Sequence, residues 1–152
     1  MARLLFVCSG NTCRSPLAAV HARSIVGERG VPVTVASAGI SAVDGGPASG
    51  HAQTVAVMEG GSLEGHRSSQ IDAGLLAAAD LILTMTAAHR DSLHRQWPQD
   101  RDRVMTLGEA SGLNVDVGDP FGGTIEDYER TSREIGRLVR AAWPTIEREL
   151  GI

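Results

Sequence analysis

The sequence contains no lysine. All 14 of its basic residues are arginines, set against 18 acidic residues for a formal net charge of −4. The lysine gap reads as a genomic bias without functional content. The acidic balance and the lack of any basic block argue against nucleic acid or an anionic membrane as the main partner. Long hydrophobic runs are also missing. The longest span a handful of residues, such as 75–79, which excludes a transmembrane helix. The opening residues lack the apolar core and small-residue cleavage site of a signal peptide, so a cytoplasmic location is expected. Aromatic residues are confined to Phe6, Trp97, Phe121, Tyr128 and Trp143. Cysteine is rare: Cys8 and Cys13 stand five positions apart, too close for a disulfide framework, and read as reactive thiols. The histidines His21, His51, His66, His89 and His94 are scattered, so no metal site is expected, and no cofactor.

What is present is an ordinary globular composition, 42% hydrophobic and 21% charged over 152 residues. That length predicts one domain spanning residues 1–152, able to bury roughly two thirds of its surface. Apolar or β-branched stretches at residues 4–7, 31–38, 81–85 and 104–107 predict four strands. Helical patterns fall between them. The first opens at Ser15-Pro16, with Ser15 as N-cap, buries Leu17, Val20, Ile25 and Val26, and stops at Gly30. Others run up to Met58, from Asp72 to about Asp80, and from Ala87 to Trp97, where Pro98 halts the chain. A Gly/Asp-rich loop reaches Gly123. The last helix buries Ile125, Tyr128, Ile135, Leu138, Val139, Ala142 and Ile146, with Glu126–Arg130 and Glu129–Arg133 pairs on its outer face. Alternating strands and helices predict an α/β three-layer sandwich with a four-stranded, mostly parallel sheet flanked by helices. Ligands in such sheets bind at the carboxyl ends of the strands, where the loop after the first strand lies.

That loop is Cys8-Ser9-Gly10-Asn11-Thr12-Cys13-Arg14-Ser15-Pro16. It joins a buried strand to a helix N-terminus, whose free N–H groups and partial positive charge suit a phosphate. Gly10 can adopt a left-handed conformation and turn successive amides inward as an anion nest. Arg14 can set a planar fork on two phosphate oxygens. The same field favours a thiolate at Cys8, a nucleophile aimed at phosphorus. Cys-x5-Arg alone is weak, expected by chance about 0.2 times in such a chain. The surrounding strand, glycine and helix start give it weight. The competing reading is a structural cysteine in a tight turn.

Residues 7–16 resemble the phosphate-binding loop of the low-molecular-weight protein tyrosine phosphatases. Asp119-Pro120-Phe121 resembles that family's general-acid loop, and Ser37-Ala38-Gly39 also matches. The resemblance covers essentially the whole chain. It implies Cys8 as nucleophile through a phosphocysteine intermediate, with Arg14 and the loop amides holding the phosphoryl oxygens. Asp119 is implied as general acid, then base. Ser9, Gly10, Asn11, Thr12, Cys13, Ser15 and Phe121 fall in the phosphate- and substrate-binding set. Ser15 is also implied to hydrogen-bond the Cys8 sulfur. Asn11 is implied to brace the loop with Ser37 and His66. Cys13 is either a small buried residue or, as the resemblance favours, a reversible disulfide partner for Cys8.

Typical tyrosine-specific members carry a larger aliphatic residue where this chain has Thr12. Thr12, and the glycines after Phe121, resemble the bacterial protein arginine phosphatases. A phosphoguanidinium offers N–H donors that a threonine hydroxyl can accept, whereas an aryl ring wants apolar walls. The expected substrates are therefore phosphorylated proteins, phosphoarginine first and phosphotyrosine as the alternative, acted on by a monomer. Three other readings stay open at this stage: an arsenate reductase, although no further cysteine pair exists to relay electrons; a sugar-phosphate phosphatase; and a non-enzymatic phosphate-binding module.

Overall fold

The computed structural model describes residues 1–152. Its organising element is β1 (Ala2–Cys8), in which Leu4 through Cys8 are all buried. A strand hidden on both faces must hydrogen-bond on both edges, and β1 does. It pairs in parallel with β2 (Val33–Gly39) on one side and with β3 (Leu81–Thr84) on the other. β3 pairs in parallel with β4 (Val104–Thr106), for a strand order β2-β1-β3-β4. The connection from β1 leads to one side and the later strands fill the other. The switch point therefore falls at the carboxyl end of β1, where such sheets open a crevice.

Side-chain alternation along β1 divides the core. Leu4, Phe6 and Cys8 join the larger cluster with α1 (Arg14–Arg29) and α6 (Ile125–Leu150), supplemented by α2 (Gly50–Met58) and α5 (Leu107–Ser111). Leu5 and Val7 join the smaller one with α3 (Ala73–Ala78) and α4 (Ala87–Gln96). The result is the expected three-layer α/β architecture. No helix is long and apolar enough to cross a membrane.

Several local expectations are corrected. Ser15 does not cap α1. The helix begins at Arg14, Cys13 occupies the cap position without a side-chain cap bond, and the Ser15 hydroxyl is engaged elsewhere. Pro16 still sits in the first turn, where its missing N–H costs nothing. The fourth strand stops at Thr106, because Thr106 and Glu109 form a reciprocal capping box that starts α5 inside the expected loop. Residues 98–103 form a 3-10 turn rather than a plain connection. On α6, Arg130 pairs with Asp127 at 3.1 Å instead of Glu126, drawn there because Asp127 already caps the helix start through Thr124. The Glu129–Arg133 pair is present at 4.0 Å.

Candidate active site

The five residues between β1 and α1 wrap over the crevice. The left-handed residue in this loop is Asn11, with φ 56°, and not Gly10. Asparagine tolerates that conformation, and here its side chain is tied on every side. Asn11 Nδ2 donates to Ser15 Oγ at 2.8 Å and to Ser37 Oγ at 2.9 Å, while Oδ1 accepts from Ser69 N at 2.9 Å. His66 Nε2 donates to the Asn11 carbonyl at 2.8 Å. The glycine the loop cannot do without is Gly39 at the end of β2. A Cβ there would stand 2.4 Å from the Ser9 carbonyl oxygen and 3.0 Å from Asn11 N.

Cys8 is buried at the loop's base, its Sγ 2.9 Å from Ser15 Oγ. Ser15 accepts the Asn11 N–H, and its hydroxyl proton has two acceptors in reach, the Cys8 sulfur at 2.9 Å and the more distant Ala38 carbonyl at 3.4 Å. Arg14 is also buried. Its Nη1 donates to the Val117 carbonyl at 2.9 Å and its Nη2 to Ser9 Oγ at 3.3 Å. Arg14 Nη2 also lies 3.6 Å from Asp119 Oδ2, whose side chain is 48% exposed. The other Asp119 oxygen accepts from Phe121 N at 3.0 Å, an Asx turn that aims the carboxylate. Phe121 itself projects, 72% exposed.

A cleft of about 250 Å³ is lined by Cys8, Ser9, Gly10, Thr12, Cys13, Arg14, Asp119 and Phe121, together with Ser41, which sequence reasoning missed. Asn11, Ser15, Ser37 and His66 lie behind this surface. Cys13 Sγ sits 3.5 Å from Thr12 Oγ1 and 3.5 Å from the Tyr128 hydroxyl. Burial and that thiol contact raise the Tyr128 pKa. Both cysteines are free thiols. A larger groove of about 650 Å³ between α1 and α6, lined by His21, Glu59 and four arginines, holds neither thiol.

His89, on α4, is the other group not anticipated. Its Nε2 lies 2.9 Å from Ser9 Oγ, and its ring is buried with Nδ1 unpartnered. Burial, and secondarily the charge of Arg14, push its pKa down to about 4. The unfolded imidazole titrates near 6.5. Between these values the unfolded chain binds more protons than the native one, so stability falls as pH drops through that window. His21, lowered by burial, acts in the same direction. Melting temperature is expected to decline between pH of about 7 and about 4.5. A His89→Gln protein should decline less steeply; parallel curves would show that His89 is not a source of the slope.

The chain's relatives agree with this chemistry. The family model described as low molecular weight phosphotyrosine protein phosphatase matches residues 3–151. The protein-arginine-phosphatase of Bacillus subtilis is 42% identical over 138 residues, covering 90% of this chain and 91% of that protein. The low molecular weight protein-tyrosine-phosphatase PtpB of Staphylococcus epidermidis is 36% identical, covering 90% of this chain and 94% of that one. A solved cysteine-to-serine mutant of the arginine phosphatase YwlE carries a phosphorylated active-site serine. It superposes with a TM-score of 0.91 at 38% identity, over 96% of both chains. A match that runs almost end to end, on a sheet whose switch point carries a buried thiol, leaves one conclusion: the chain belongs to the low molecular weight phosphotyrosine protein phosphatase family and is a cysteine-dependent phosphatase.

Proposed function

We propose that the protein hydrolyses phosphoarginine on protein substrates through a phosphocysteine at Cys8. The observation that carries the choice of substrate is Thr12, a hydroxyl in the cleft wall where an aliphatic side chain would serve an aryl ring. The arginine phosphatase relatives, 42% and 41% identical, support it.

In the first step the Cys8 thiolate attacks phosphorus opposite the guanidine nitrogen. The S–P bond forms, the P–N bond breaks, and Asp119 gives its proton to the departing nitrogen. Arg14 and the loop amides hold the three remaining oxygens, whose charge must be stabilised in the transition state. In the second step Asp119 takes a proton from water, which attacks phosphorus and releases Cys8 as thiolate with inorganic phosphate. Ser15 stabilises that thiolate in both steps. Asn11, Ser37 and His66 keep the loop in its anion-binding shape. Cys13 serves as a resolving thiol: a peroxide oxidises Cys8 to the sulfenic acid, and Cys13 displaces water to close a disulfide that reductants reopen. This pair suits a reducing cytoplasm, with the chain acting as a monomer on phosphorylated proteins.

Phosphotyrosine is the second reading, favoured by the exposed Phe121 at the cleft, a ready wall for a phenyl ring. The two are separated by kcat/KM on matched phosphoarginine and phosphotyrosine peptides under reducing conditions. A preference of about tenfold or more for phosphoarginine is expected, corresponding to roughly 1.4 kcal/mol of discrimination. Thr12→Ile should shift the ratio by about tenfold or more towards phosphotyrosine. Equal or better turnover of phosphotyrosine by the parent protein would sink the arginine reading.

A further inference from the structure

The Ser9 hydroxyl is approached by two groups, Arg14 Nη2 at 3.3 Å and His89 Nε2 at 2.9 Å. A guanidinium can only donate, so Arg14 occupies one lone pair of Ser9 Oγ. The state of His89 decides what remains. The ring is 4% exposed and its Nδ1 has neither a partner nor access to water. A doubly protonated ring would bury an orphaned N–H and a positive charge beside Arg14. The carboxylates of Asp116 and Asp119 favour that charge, yet the pKa still stands near 4, so the ring is neutral. Of the two neutral tautomers, one with the proton on Nδ1 also leaves an orphaned donor. The other leaves only an unshared lone pair, and buried orphan donors are the rarer defect in proteins. The proton therefore belongs on Nε2, which donates to Ser9.

With Arg14 and His89 both donating, the two lone pairs of Ser9 Oγ are spent. Its single proton is left to point into the cleft that Ser9 lines. We propose that His89, held on α4, fixes Ser9 as a hydroxyl donor to a non-bridging oxygen of the bound phosphoryl group. The Ser9 side chain then contacts the substrate's phosphate, and His89 is a positioning residue that acts through it. The proposal rests on the phosphatase reading for the seat of the phosphoryl group.

A double-mutant cycle tests it, with kcat/KM and the Kd for inorganic phosphate as readouts on Ser9→Ala, His89→Leu and the double variant. Each single change is expected to lower kcat/KM about tenfold and to weaken phosphate binding, since a hydrogen bond to a charged group is lost. In the Ser9→Ala background His89→Leu should cost nothing more, because its effect passes through that hydroxyl. His89→Gln, whose amide can donate, should recover activity to within about threefold of the parent. Nitrogen-15 NMR of the parent should show His89 neutral with the proton on Nε2. A proton on Nδ1, or a His89→Leu effect as large without Ser9 as with it, overturns the proposal and leaves a packing role. Absence of Cys8-dependent turnover in the parent would instead overturn the phosphatase reading, while the phosphate Kd and the NMR tautomer still decide the role of His89.

Discussion

Cys8→Ser should abolish turnover, by ~10⁴-fold or more in kcat, while inorganic phosphate still binds. The asymmetry follows from what the substitution removes. On the proposed mechanism loop amides and Arg14 seat the phosphate, and Arg14 is held by the Val117 carbonyl and Ser9, not by the thiol. Serine fills the same buried position, and Ser15 Oγ, 2.9 Å from the parent sulfur, remains a hydrogen-bond partner. What disappears is the ionised nucleophile and the good leaving group: a serine hydroxyl is not ionised near neutral pH, and a phosphoserine of the kind the YwlE mutant carries must expel an alkoxide where phosphocysteine expels a thiolate. Of the imidazoles at the loop, His89 faces Ser9 and His66 donates to the Asn11 carbonyl. Calorimetric titration with phosphate beside a steady-state assay reads both halves. Turnover within about tenfold of the parent would remove Cys8 from the chemistry. Loss of binding together with turnover would mean that the loop had collapsed, which a melting curve detects.

Much of this arrangement was legible in the sequence because it is local. Leu4 to Val7 and Leu81 to Leu83 are buried runs that only the centre of a parallel sheet accommodates, and both are central strands. The nucleophile, the arginine and the turn between them lie within seven residues. Misreadings arose where one residue had two uses. Ser15 before a proline looks like a cap, but its hydroxyl is claimed by Cys8 and Asn11. Gly10 looks like the left-handed position, but Asn11 takes it because four hydrogen bonds hold that residue there. Helix α5 was hidden because its capping box, Thr106 with Glu109, is interrupted by a glycine and followed by another at Gly112. His89 left no local signal at all. It reaches Ser9 across 80 positions, brought there only because β3 runs beside β1 and delivers α4 to the same end of the sheet.

The final expectation concerns Asp119. Asp119→Asn should lower kcat/KM by about 10²–10³-fold on substrates with poor leaving groups, and far less on aryl phosphates whose phenolate departs unprotonated. Asparagine keeps the oxygen that accepts from Phe121 N, so the turn aiming the side chain survives and only the transferable proton is lost. That separates chemistry from loop disorder, which would depress every substrate alike. The effect on phosphoarginine should lie at the severe end, since a guanidine cannot leave as its anion. With an activated aryl phosphate the first step proceeds, but the substituted amide cannot take a proton from the attacking water. Phosphocysteine should then accumulate and appear as a burst of phenol. The first step needs the acid and the second the carboxylate, whose charge the Arg14 guanidinium faces from 3.6 Å. With its side chain 48% exposed, Asp119 is open to the attacking water, and the proton it gives up in the first step is the one it regains in the second, so one group can serve both steps. A leaving-group series read in kcat/KM, which reports the first step, should therefore give a shallow dependence for the parent and a steep one for Asp119→Asn. Equal slopes would assign the proton to another donor.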